Sequence, residues 1–148
     1  MKKIFYGKAV YDHNEIKAVL KVLKKHSLNL IDGPHVKILE KKVANIFGKK
    51  FGLMVNSGSS ANLLALSSFK FKKGSEIITP SLTFATTVAP IYQLGLIPHF
   101  IGSVENKFLA NPEHIEKSIN KKTVAMIIPN LLGNIADWKK IHFIAKKH

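Results

Sequence analysis

A run of small polar residues, Ser57-Gly58-Ser59-Ser60, lies between an apolar segment, residues 51–55, and a stretch in which Leu63, Leu64, Leu66 and Phe69 recur at helical spacing. A strand that ends in such a turn and feeds a helix aims several unpaired backbone N–H groups at one spot. The helix dipole favours an anion there. Gly58 allows close approach to the backbone, and the hydroxyls of Ser59 and Ser60 add donors. The chemistry on offer is capture of an anion. A serine N-cap with no ligand is the other reading of the same residues.

The elements that would position this turn follow in a regular rhythm. Asp12 suits the N-cap of a helix over residues 13–25, with Ile16, Val19, Leu20 and Leu23 on one face. A second helix fits residues 35–47 and closes on Gly48. Strands are expected over 51–55, 76–79, 97–101 and 123–128, and helices over 60–69, 83–94, 111–120 and 136–147. Asn111-Pro112 reads as an N-cap with proline in the first helical position. Short strands rich in Ile and Val, alternating with helices, imply an α/β fold built on a mainly parallel sheet with flanking helices. Ligands in such sheets collect beyond the carboxyl ends of the strands. Those ends are residues 56–60, 80–84, 102–105 and 129–134.

Composition narrows the function classes. The chain has 148 residues, 46% of them hydrophobic, and no cysteine. That is enough for a real core and excludes disulfides and thiolate metal sites. No signal peptide or membrane-length apolar run is evident, so a cytoplasmic protein is the expectation. The net charge of +14 invites nucleic acid as a partner. All 23 basic residues are lysine, however, and they are scattered over most of the expected helices. Without arginine, the usual reader of guanine edges is missing, and specific nucleic-acid binding is not expected. The seven histidines show no metal-ligand spacing, and none is assigned a catalytic role.

Four segments together resemble the DegT/StrS-type sugar aminotransferases, fold-type I enzymes that use pyridoxal 5′-phosphate. They are Gly33-Pro34-His35-Val36 with Leu39-Glu40; Val55-Asn56-Ser57-Gly58-Ser59-Ser60-Ala61-Asn62-Leu63; Ile78-Thr79-Pro80 with Thr83-Phe84-Ala85-Thr86-Thr87-Val88-Ala89-Pro90-Ile91; and Ile128-Pro129-Asn130-Leu131-Leu132-Gly133-Asn134 with Asp137. The resemblance implies an N-terminal helical segment, residues 1–33, and the first part of the cofactor-binding large domain, residues 34–148. It implies that Gly58, Ser59 and Ser60 hold the cofactor phosphate and that Phe84 stacks on the pyridine ring. A core phenylalanine is the alternative for Phe84. Asn134 would lie near the ring hydroxyl, or else cap the last helix.

The family's Schiff-base lysine and its aspartate against the pyridine nitrogen would fall beyond His148. No catalytic residue is therefore assigned within the chain, which is expected to be an N-terminal fragment, inactive alone. Lys70 precedes the ring-stacking segment and reads as a solvated lysine. The implied parent reaction is transfer of an amine from an amino acid such as glutamate to a nucleotide-linked keto-sugar, by a homodimer. A 3-dehydratase of the same family, with histidine in place of the lysine, is the alternative. The Gly133-Asn134 pair also occurs in that branch. A truncated, non-catalytic binding module is the alternative of another class.

Overall fold

The computed structural model describes residue 5, residues 7–28 and residues 30–148. The chain forms two compact units, Met1–Met54 and Val55–His148.

The first unit holds helices α1 (His13–Lys25) and α2 (Pro34–Ile46). Local chemistry sets their ends. The Asp12 carboxylate accepts the Asn14 N–H at 2.7 Å, and the Glu15 carboxylate accepts the Asp12 N–H at 2.8 Å, closing a capping box. At the other end of α2, Gly48 takes φ +60°, and the Lys49 N–H reaches back to the Ala44 carbonyl at 2.8 Å. This left-handed closure suits glycine. The expected strand over residues 51–55 is absent. Phe51 and Leu53 are exposed, and the Met54 N–H donates to the Glu40 carboxylate at 2.7 Å. An apolar run becomes a strand only when a neighbouring strand accepts its ladder bonds, and here a glutamate side chain takes one of them.

The second unit contains α3 (Gly58–Ser68), β1 (Glu76–Pro80), α4 (Ala85–Gln93), β2 (Ile97–Ile101), α5 (Pro112–Ser118), β3 (Thr123–Met126) and α6 (Trp138–Lys147). The three strands form a parallel sheet in the order β2-β1-β3. Only β1 is buried along nearly its whole length; β2 and β3 form the sheet's edges and are more open. Successive side chains of β1 point to opposite faces, and each face has its own core. Ile77 packs with Leu66, Ile91 and Leu96 on the side of α3 and α4. Ile78 packs with Ile101, Ala110, Ile115, Ile128, Ile141 and Ile144 on the side of α5 and α6. Helices on both faces of a parallel sheet are the α/β architecture that the alternating pattern implied.

Two polar clusters fasten the second layer. At the start of β1 the Glu76 carboxylate accepts from Asn120 Nδ2 at 2.7 Å and meets His99 Nδ1 at 3.1 Å. These donors, Asn120 first, hold its carboxyl below the usual carboxylate range. Glu116 on α5 pairs with Lys147 on α6, which lowers its carboxyl in the same direction.

Candidate functional site

The turn at the head of α3 is built by Ser57, which takes extended backbone angles and caps the helix. Its Oγ accepts the Ser60 N–H at 3.1 Å and donates to the Ser60 Oγ, also at 3.1 Å. The Ala61 N–H bonds the Ser57 carbonyl at 3.0 Å. The amides of Gly58 and Ser59 have no acceptor among the described residues. Of the three residues singled out for an anion, Gly58 and Ser59 thus keep their amides available, whereas Ser60 spends its amide on the cap. The helix starts two residues earlier than its apolar spacing suggested, because the serine cap lies ahead of the first leucine.

Gly58 sits in open space: a Cβ placed on it would meet nothing within 4 Å. A Cβ there would clash with no other part of the fold. Ser59 and Ser60 line a cleft of about 190 Å3 with Leu63 from α3 and Thr86, Ala89, Pro90 and Gln93 from α4.

Phe84 is the N-cap residue of α4 and lies just beyond the carboxyl end of β1. Its side chain is 71% exposed, so it is no part of either core. Beside it, the Thr83 hydroxyl bonds the Thr87 hydroxyl at 2.9 Å. Thr79, at the end of the same strand, is fully buried, and its Oγ1 has no partner among the described residues. It shares a sheet face with Ile77, the face that carries α3 and α4.

Asn134 lies beyond the carboxyl end of β3, after a short helical turn over Leu131–Gly133 in which Leu132 and Gly133 take positive φ. It is exposed and does not cap α6. That cap is Asp137, whose carboxylate accepts the Lys140 N–H at 3.1 Å. Asn130 organises the loop instead: its Oδ1 accepts the Ala136 N–H at 3.2 Å and the Trp138 indole N–H at 3.1 Å. Neither Ser57 nor Asn130 was among the residues expected to form the site. Ser57 was visible as a serine three residues before Ser60, but the partners of Asn130 are set by how the loop folds back.

The residue types fit a phosphorylated aromatic ring. Unpaired amides and a hydroxyl stand at a helix head that is open in front of Gly58, and an exposed aromatic residue heads the neighbouring helix. Among the described residues no group of three or more His, Asp or Glu could hold a metal ion, and no helix is long and apolar enough to cross a membrane.

The profile of the DegT/DnrJ/EryC1/StrS aminotransferase family matches residues 10–148. A GDP-4-keto-6-deoxy-D-mannose 3-dehydratase of Yersinia pseudotuberculosis is 33% identical over 139 residues, covering 90% of this chain and 35% of that protein. The Escherichia coli GDP-4-keto-6-deoxy-D-mannose-3-dehydratase, solved with bound hydrated PLP, superposes with a TM-score of 0.85 at 34% identity, over 94% of this chain and 37% of that one. A Streptococcus pneumoniae protein described as a sugar aminotransferase, in its PMP form, gives a TM-score of 0.90 at 23% identity, over 99% of this chain and 36% of that one. The last match bears on the fold alone. The chain spans little more than a third of the length of these relatives.

Proposed function

Because the chain belongs to the DegT/DnrJ/EryC1/StrS aminotransferase family, we propose that it is the N-terminal part of a pyridoxal-phosphate-dependent enzyme acting on a nucleotide-linked keto-sugar. In this reading residues 1–33 form a leading helical segment and residues 34–148 begin the cofactor-binding domain. The observation that carries it is the pair of helix heads in one unit: unpaired amides at Gly58 and Ser59, and exposed Phe84 at the start of α4.

The residues divide the work by chemistry. The Gly58 and Ser59 amides, with the Ser59 and Ser60 hydroxyls, bind the phosphate dianion. Phe84 lies against the ring and keeps water from one face. Asn134 donates to the ring hydroxyl from the loop after β3. When bound, the cofactor supplies an electron sink for charge that develops on the substrate carbon. No residue of this chain is assigned the role of the base or of the ring-nitrogen partner.

Of the two chemistries in the family, loss of the sugar 3-hydroxyl is favoured. The sequence-similar relatives named above are 3-dehydratases of a GDP-linked 4-keto sugar. Amine transfer from an amino acid such as glutamate is supported at the level of the family description. In a polypeptide that continues this chain, histidine at the family's Schiff-base position with release of the 3-hydroxyl identifies the dehydratase. Lysine there, with glutamate-dependent amination, identifies the aminotransferase. We further propose that such a polypeptide works as a cytoplasmic homodimer.

The cofactor reading is tested on the 148-residue chain with pyridoxamine 5′-phosphate. Its amine cannot react with the 23 lysines as an aldehyde would. Saturable binding is expected, with dephosphorylated pyridoxamine much weaker. Phe84→Ala is expected to weaken binding about threefold to tenfold, the worth of one aromatic contact, at nearly unchanged stability. Equal binding with and without the phosphate would overturn the reading.

A further inference from the structure

Helix α4 contains a proline in its interior, Pro90. Proline has no N–H, so the carbonyl four residues earlier loses its helical donor. That carbonyl belongs to Thr86, in the first turn of α4. A partly buried carbonyl left unpaired is costly. It is not left unpaired: the side-chain amide of Asn62, on α3, donates to the Thr86 oxygen at 3.3 Å. The donor therefore comes from another helix, from the turn that follows Ser59 and Ser60. The acceptor lies two residues past Phe84.

We propose that Asn62 is a positioning residue, which holds the anion-binding head of α3 at a fixed spacing from Phe84 by donating to the Thr86 carbonyl that Pro90 leaves free. Pro90 and Asn62 work as a pair. The proline keeps the acceptor open, and the asparagine spends it on a bond between helices instead of within one. The bond sits beside the cleft lined by Ser59, Ser60, Thr86 and Pro90. Its consequence for ligand binding rests on the cofactor reading above.

The structural and positioning roles separate in a double variant. Asn62→Ala leaves the Thr86 carbonyl unpaired and cuts the tie. Adding Pro90→Ala returns a helical N–H to that carbonyl but does not restore the tie. We expect Asn62→Ala to lower the melting temperature and to weaken pyridoxamine 5′-phosphate binding about threefold to tenfold, the worth of one net hydrogen bond. Asn62→Ala with Pro90→Ala should recover the melting temperature yet keep the weakened binding. Its Ser59 and Phe84 backbone amide resonances should remain displaced from their wild-type positions. Asn62→Asp, of the same shape but without the donor, serves if the alanine variant does not fold. Recovery of both affinity and amide resonances in the double variant overturns the proposal, since Asn62 would then merely satisfy a carbonyl. Should the wild-type chain bind no pyridoxamine 5′-phosphate, the cofactor reading fails. The amide resonances still decide the spacing: persistent displacement supports it, and wild-type positions overturn it.

Discussion

Replacing Gly58 with valine separates binding from folding. Gly58 is the first residue of α3, has no positive φ, and faces open space. The Cβ of a valine meets nothing within 4 Å there, and the substitution removes a glycine from the helix. Glycine and valine differ by only a few tenths of a kcal/mol in helix propensity, so stability should stay within about 0.5 kcal/mol of wild type. For a unit of this size that is a change in melting temperature of about 4 °C or less. A Cβ in the first turn tilts towards the helix N-terminus, so the same side chain is expected to crowd the amides at the helix head. Each hydrogen bond to a charged phosphate is worth about 1.5–3 kcal/mol. Losing one raises the dissociation constant at least about tenfold. Titration calorimetry with pyridoxamine 5′-phosphate in phosphate-free buffer reads the dissociation constant, and thermal unfolding by circular dichroism reads the stability. Unchanged affinity at unchanged stability would show that no phosphate sits at Gly58. Loss of the fold would show that the space beside it is not free.

Other perturbations have equally definite outcomes. Ser57→Ala removes the cap of α3 and should cost about 1 kcal/mol in thermal unfolding, with a weaker phosphate site as a second readout. Ile78→Ala empties the centre of the core beneath α5 and α6 and should cost about 2–5 kcal/mol, measured by urea denaturation. The Glu76 carboxyl is held low in the folded chain, chiefly by Asn120. Its contribution is therefore present at neutral pH and fades as pH falls below the usual value of 4.5 towards the depressed folded value. Glu76→Gln should flatten that acid limb of the stability curve; an unaltered limb would remove Glu76 as its cause.

Local chemistry was legible in the residues themselves. Asp12 with Glu15, Gly48 and Asn111-Pro112 mark helix ends because each satisfies orphan backbone groups within a few residues. Alternation of strands and helices implied the parallel α/β layers for a related reason: buried strands need helical cover on both faces. The capped start of α3 was visible as a small polar run feeding a helix. Tertiary structure decided what depends on partners distant in sequence. Residues 51–55 have strand-like composition, but a ladder requires a neighbour, and the Met54 amide goes to Glu40. The cap of α6 fell to Asp137 and the loop before it to Asn130, leaving Asn134 exposed. The link between Asn62 and Thr86 needs Pro90 to vacate an acceptor on one helix and an amide to arrive from another. Periodicity and propensity act over a turn or two of chain, whereas a hydrogen bond between helices exists only once packing has brought donor and acceptor together.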